Sequence, residues 1–389
     1  MSNTHSKITV KIEKWVQNGL TIAHYQDRPI FVHGALPNEI VEIEIKKELK
    51  GYSFGQTVRV IESAVNRLES DCSIFPECGG CSFRHISYEE ELNLKTSLLA
   101  EHQSLSPYLH QFKLFSGQAN GYRHHSRLHQ QNHKVGFFSL WTEAVVSLPY
   151  NGCRQLAPEL NNALKNNSVV DTDFSLYLNS NQKIINAPIT KDATKSKKLM
   201  NQDKLEFKID DFKWQYRRGQ FFQSNRFLIP SWLQYIESLI PEQGLDTVEL
   251  FCGTGIIGGF VRQKLGSYLG IESVGSSLNE ARQNFTDHKL TGKFQLRDLY
   301  QPKGIAGISE IKASLLIVNP PRAGLKSPLC QEVAKSNFNE IIYSSCNPAT
   351  LNRDLFELSK VGFQLTNIAG FDFFPRTPHI EIVVKLSKK

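Results

Sequence analysis

Thr247-Val248-Glu249-Leu250-Phe251-Cys252-Gly253-Thr254-Gly255-Ile256-Ile257-Gly258 is the stretch that decides the fold. Its first half is a short run of β-branched and apolar residues, the composition of a buried strand. Its second half spaces Gly253, Gly255 and Gly258 as a tight strand-to-helix turn, where bare backbone lets a cofactor come close. The alternation then repeats. Leu269-Gly270-Ile271 ends at Glu272, Phe294-Gln295-Leu296 near Asp298, and Leu315-Leu316-Ile317-Val318 at Asn319. Ile341-Ile342-Tyr343 precedes Cys346, and further strands start at Phe363 and Ile380. From about Arg218 onward this pattern predicts an α/β, doubly wound sheet that gathers ligands at the carboxyl ends of its strands.

Two cofactor readings follow. The glycines fit the dinucleotide fingerprint, and Glu272 is placed to bind ribose hydroxyls, so an NAD-linked enzyme is one of them. Glu249 ahead of the turn and Asn319-Pro320-Pro321-Arg322 beyond it resemble methyltransferases that use S-adenosylmethionine, and favour that reading.

Within the same region, Tyr343-Ser344-Ser345-Cys346-Asn347-Pro348-Ala349-Thr350-Leu351 puts a cysteine between a strand and a helix. Pro348 suits a first helical turn, and Leu351, Leu355 and Leu358 give that helix an apolar face. A thiol at a helix N-terminus feels the positive end of the dipole, which favours thiolate. A lone cysteine is more often a small buried hydrophobe, and it is the company Cys346 keeps that argues for chemistry.

Upstream, residues from about Ile8 to Ile61 alternate as strands, in Ile8-Thr9-Val10-Lys11-Ile12 and Val41-Glu42-Ile43-Glu44-Ile45 among others. About five short strands in that length suit a small closed barrel. Cys72, Cys78 and Cys81 follow, with Gly79-Gly80 between the last two, and Cys153 is the natural fourth ligand. Four thiolates suit zinc or a [4Fe–4S] cluster, and the split of three plus one favours the cluster. Cys252 and Cys330 read as packing residues. A helix is expected over about Tyr88 to Gln103, then a basic cluster at Tyr122-Arg123-His124-His125-Ser126-Arg127. Strands return from about Ser168 to Trp214, interrupted by a polar run, Lys191 to Lys198, that reads as a solvated turn. The chain thus divides into 1–65, a small barrel, 66–217, a central mixed α+β cluster-binding domain, and 218–389, the doubly wound domain.

The 389 residues suffice for two or three cores, and 40% hydrophobic with 21% charged residues describes a soluble globular chain. No apolar run of about eighteen residues appears, and Met1-Ser2-Asn3-Thr4-His5 has no apolar signal core, so a cytoplasmic site without membrane contact is expected. A net charge of +7 hints at a polyanionic partner. Cysteines in a reducing compartment are read for metal or catalysis rather than disulfides.

Taken together, Ser345-Cys346-Asn347-Pro348, Phe222-Gln223-Ser224-Asn225, Asn319-Pro320-Pro321-Arg322-Ala323-Gly324 and His379-Ile380-Glu381 resemble the RNA uracil-C5 methyltransferases. Ile30-Phe31-Val32 with Gly34-Ala35-Leu36-Pro37-Asn38-Glu39 is similar to the TRAM domain, an RNA-binding barrel. The resemblance covers nearly the whole chain and looks most like the bacterial 23S ribosomal RNA branch, with transfer RNA as the alternative. It implies a last strand antiparallel to its neighbours, so that Asn319, Cys346 and Glu381 meet at one edge. It also implies Cys346 as the nucleophile at uracil C6 and Glu381 as the base that removes the C5 proton. By itself, Glu381 reads as well as an ordinary surface carboxylate. S-Adenosylmethionine is expected at Gln223, Phe251, Gly253, Gly255, Ile256, Glu272, Asp298 and Asn319. A [4Fe–4S] cluster of structural role is expected at Cys72, Cys78, Cys81 and Cys153, in a monomer.

Three positions depart from the family pattern. Asn319 stands where the family usually has Asp, Ile256 where it often has Asn, and His124-His125 in a stretch usually richer in arginine. An amino-group methyltransferase, for which Asn-Pro-Pro begins the motif, is the runner-up, although Arg322 stands where an aromatic residue normally follows. A non-catalytic cluster-bearing RNA-binding protein is the alternative of a different class.

Overall fold

The computed structural model describes residues 7–166, 173–189, 204–240 and 244–388. Residues 7–62 form a six-stranded sheet, ordered Lys7–Lys11, Ile40–Leu49, Tyr52–Glu62, Arg28–His33, Leu20–Tyr25 and Lys14–Val16. Alternation sorts its faces: Val10, Ala23, Ile30, Val32, Val41 and Ile43 are all buried together. Each such valine or isoleucine withdrawn from water contributes roughly 1.5–3 kcal/mol.

The middle of the chain carries a five-stranded sheet built from Val145–Ser147, Lys134–Phe138, His125–Gln131, Phe174–Leu178 and Ile184–Pro188. A separate hairpin pairs Lys204–Ile209 with Phe212–Arg217. The run Lys191 to Lys198 lies outside the described residues. The expected helix is present as Tyr88–Leu98, capped by Ser87 Oγ, which accepts from Glu90 N at 3.1 Å. It passes into a 3-10 turn, Leu99–Glu101, and ends at His102, whose backbone is extended. The basic cluster is a correction to the sequence reading. His124 is buried and His125 half-buried, and burial pushes their pKa values down to about 4 and about 3. They are neutral packing groups, and Arg127 alone of that run is exposed.

The last third holds the doubly wound sheet. Its eight strands run in the order Lys293–Leu296, Leu265–Glu272, Leu245–Leu250, Leu315–Val318, Glu340–Ser345, Glu381–Lys388, Phe363–Phe371 and Lys113–Phe115. Glu381–Lys388 is antiparallel to both its neighbours, and the other pairings are parallel. Two apolar cores cover its faces, one around Leu250, Val318, Tyr343 and Leu355, the other around Trp214, Trp232, Ile317 and Val383. The eighth strand comes from the middle of the chain. Phe115 stacks on Phe371 at 4.8 Å and extends the sheet at its edge.

Candidate active site and cysteine centre

The strand Leu245–Leu250 ends at Phe251, whose φ of 60° is unusual for a bulky side chain. Gly253 follows with φ +55° and nothing within 4 Å of where a Cβ would stand, so a side chain there would project into open space. Gly255, at φ +76°, packs instead toward Ala281 and Phe285. The carboxylate of Glu249 is enclosed beneath the turn, accepting from Gly258 N at 2.9 Å and Tyr268 Oη at 2.6 Å. Burial pushes it up to about 7. Glu272 ties the next loop down: Gly253 N donates to one oxygen at 3.0 Å, and Ser273 N and Val274 N to the other at 2.7 and 2.9 Å.

These elements line a cavity of about 730 Å³ at the carboxyl edge of the sheet. Gln223, Phe251, Gly253, Ile256, Glu272, Asp298 and Asn319 all face it, and so do Cys346 and Glu381. Gly255 does not line it, its place being within the turn. Gln223 Oε1 is buried with no partner, a state that costs free energy until a donor arrives. Volume, open glycine and orphaned acceptor suit a ligand of S-adenosylmethionine's size and polarity.

Cys346 and Glu381 meet through strand register. Ser345 pairs with Ile382 and Ser344 with Val383, so Cys346 and Glu381 are the next pair at the cavity's rim. Asn347 caps the helix Pro348–Ser359, its side chain accepting from Ala349 N at 3.1 Å. It also donates from Nδ2 to Arg322 O at 3.0 Å, binding the cysteine loop to the Asn-Pro-Pro-Arg loop. Glu381 is only 1% exposed, which removes the surface-carboxylate reading. Ser344 Oγ donates to its Oε1 at 2.5 Å and accepts from Trp232 Nε1 at 3.0 Å. Burial pushes Glu381 up to about 7, opposed only by the Ser344 bond.

The sequence suggested a thiolate-favouring Cys346, but burial raises this thiol, and the nearby Glu381 charge raises it further. Arg322 works the other way, by its charge and a hydrogen bond. Arg322 is itself held by His379, Nη2 to Nε2 at 3.2 Å. Arg322, Ser344 and His379 carry no evident role in the sequence motifs alone. Their adjacency to Cys346 and Glu381 in the motifs was the available signal.

A second cavity is lined by Cys72, Cys78, Cys81 and Cys153 with Ile74, Phe75, Phe137 and Leu148. Arg84 Nε and Gln155 Nε2 donate to Cys81 Sγ at 3.2 and 3.0 Å, and Gly80 N to Cys78 Sγ at 3.4 Å. Arg84 Nη2 is buried without a partner. Burial pushes the Cys78 thiol up to about 12 and the Cys81 thiol up to about 11, while four thiols with N–H donors aimed at sulfur and an enclosed guanidinium are a donor set that suits a thiolate centre. No compact group of three or more His, Cys, Asp or Glu able to hold a metal ion occurs among the described residues. Cys252 and Cys330 are buried, as expected of packing residues.

Comparison with known proteins agrees with the folding pattern. Residues 44–389 match the family model for tRNA (uracil-5-)-methyltransferase, and residues 2–58 match the TRAM domain. An uncharacterized RNA methyltransferase of Leptospira interrogans is 33% identical over 98% of this chain and 95% of its own. A 23S rRNA (uracil(1939)-C(5))-methyltransferase of Shewanella sediminis is 26% identical over 97% and 95%. Among solved structures, the Pyrococcus abyssi tRNA (uracil-54, C5)-methyltransferase, in complex with S-adenosyl-L-homocysteine, superposes with a TM-score of 0.73 at 19% identity. That match covers 97% of this chain and all of the other. With its TRAM domain, doubly wound sheet and matching model over most of its length, the chain belongs to the tRNA (uracil-5-)-methyltransferase family, a family of RNA-modifying enzymes.

Proposed function

We infer that this protein methylates C5 of a uridine in RNA, with Cys346 as nucleophile and Glu381 as base. The observation that carries the reading is the meeting of Cys346, Glu381 and the glycine-rich turn in one cavity. Gln223, Phe251, Gly253, Ile256, Glu272, Asp298 and Asn319 are the residues that would hold S-adenosylmethionine, with Gly255 shaping the turn. When bound, it supplies an electrophilic methyl group.

Uracil C5 is too weak a nucleophile to accept that methyl unaided. Addition of the Cys346 sulfur to C6 forms one S–C bond and leaves C5 enolate-like. Arg322 is placed to stabilise the thiolate that adds. Once C5 carries the methyl, the Glu381 carboxylate takes the C5 proton and the C6–S bond breaks, restoring the thiolate. A carboxyl that burial has pushed up to about 7 is matched to that task. The target base must leave its stack to reach Cys346. The barrel and the central region would hold the RNA by shape and phosphate contacts.

Cys72, Cys78, Cys81 and Cys153 are assigned to a [4Fe–4S] cluster, with zinc as the competing occupant. No step above needs an electron, so a structural role suffices. Ribosomal RNA is favoured by the relative named for it, while the family model's own description names tRNA. Nucleoside analysis of undermodified total RNA after incubation with enzyme and S-adenosylmethionine tests the reading. 5-Methyluridine is the expected product. Methyladenosine would instead indicate amino-group transfer, and no product a binding protein.

A further inference from the structure

Between Phe371 and Glu381 the chain crosses from one sheet strand to the next as a strap, residues 372–380. Its inner side faces the catalytic cavity, where Phe374 and His379 form part of the wall. Its outer side is fastened almost wholly to the middle of the chain. Lys95 Nζ and Tyr88 Oη both reach the Asp372 carboxylate at 2.6 Å. Ser82 N donates to Arg376 O at 2.7 Å, and Arg376 N to Glu91 Oε1 at 2.7 Å. Arg376 holds a left-handed φ of 67°, a conformation that such fastening must maintain.

One fastening differs in kind. Gln155, only 2% exposed, points Nε2 at three acceptors together: Cys81 Sγ at 3.0 Å, Gly80 O at 3.2 Å and Pro375 O at 3.2 Å. All three are acceptors, so the amide must face them with its NH₂ and not its carbonyl. Pro375 adjoins Phe374, and two residues beyond Thr377 stands His379, which holds Arg322 beside Cys346. A single buried amide thus joins a sulfur of the cysteine centre to the wall of the catalytic cavity.

We propose that Gln155 is a positioning residue: it registers the state of the cysteine centre at Cys81 and sets the strap, through Pro375, that presents Phe374 and His379 to the active site. The inference rests on the catalytic reading of the Cys346 cavity and on the cysteines holding a metal group. Loss of that group would unpin Cys81, and with it the amide that ties the strap, without any contact with RNA.

Amide hydrogen exchange on the full-length protein tests this, comparing wild type and Gln155→Ala, each as purified and after metal removal with a chelator under mild oxidation. Metal removal should speed exchange of the strap peptide about tenfold in wild type, the order expected for one buried hydrogen bond. Gln155→Ala should speed it similarly by itself, and metal removal should then add less than it does in wild type. Barrel peptides should not change, which separates the effect from global unfolding. Alkylation of Cys346, followed on its own peptide, should shift to higher pH in Gln155→Ala as Arg322 loses its support. Unchanged strap exchange in Gln155→Ala, or strictly additive effects of variant and metal removal, would overturn the proposal. Protein that carries no metal as purified would refute the reading of the cysteine centre and the coupling with it. Gln155→Ala would then still report whether the amide holds the strap, and methylation by wild type separately reports on the catalytic reading.

Discussion

Replacing Ser344 by Ala should move the final proton transfer to higher pH. Ser344 Oγ is the sole side-chain donor to Glu381 among the described residues, at 2.5 Å, and burial already pushes that carboxyl up to about 7. A hydrogen bond to an ionised group is worth roughly 1.5–3 kcal/mol, and about 1.4 kcal/mol equals one pH unit. Losing it should raise the midpoint to about 8–9, so the ionised fraction at pH 7 falls from about one half to roughly 1–10%. Breakdown of the RNA–protein adduct should then slow about 5- to 50-fold at pH 7 and recover toward pH 9. The assay follows adduct decay on denaturing gels from pH 6 to 9. Trp232 Nε1 also loses its acceptor in this variant, at a cost of about 1–3 kcal/mol, so thermal unfolding is measured alongside. Ser344→Thr, which keeps the hydroxyl, should retain the wild-type midpoint. A midpoint in Ser344→Ala that stays put or falls would refute Glu381 as the titrating base.

Other expectations concern the supports of the site. Glu249 is raised to about 7 from an ordinary value near 4.5, so its stabilising proton is fully present below 4.5 and lost as pH rises through 7. Glu249→Gln does not titrate and should gain up to about 3 kcal/mol relative to wild type over that window, with no further gain above pH 8, in denaturant titrations. Lys95→Met removes the ammonium buried between Glu91 and Asp372, at 2.7 and 2.6 Å, and should cost about 3–5 kcal/mol of unfolding free energy. A loss under 1 kcal/mol would show that the pair relaxes. Arg322→Met should raise the pH at which Cys346 is alkylated, because the charge and hydrogen bond that favour its thiolate are gone. An unchanged alkylation profile would exclude Arg322 from activating the sulfur.

Much of the fold was legible because its signals are local. Glycines at 253, 255 and 258, apolar runs at strand spacing and Leu351, Leu355 and Leu358 on one helix face each reflect short-range geometry. Strand order with an antiparallel last strand followed from the family likeness, and with it the approach of Cys346 to Glu381. Three features were not legible. Lys113–Phe115 is too short to show a period, and only pairing with Phe363–Phe371 makes it a strand. Arg123-His124-His125 looked basic because charge in a sequence carries no information on burial, which here neutralises the histidines. The thiol of Cys346 was expected to favour ionisation from its helix position alone. Burial raises it instead, and the charge of Glu381, thirty-five residues away in the chain but adjacent in register, adds to that.

The central claim concerns one transient bond. Incubating Glu381→Gln with undermodified RNA and S-adenosylmethionine, digesting with nuclease and protease under denaturing conditions, and weighing the peptides reads that bond directly. The peptide containing Cys346 should carry the mass of a methylated uridine nucleotide, and Cys346→Ala should yield no such species. An adduct on any other cysteine, or full methyl transfer by Cys346→Ala, would contradict the account.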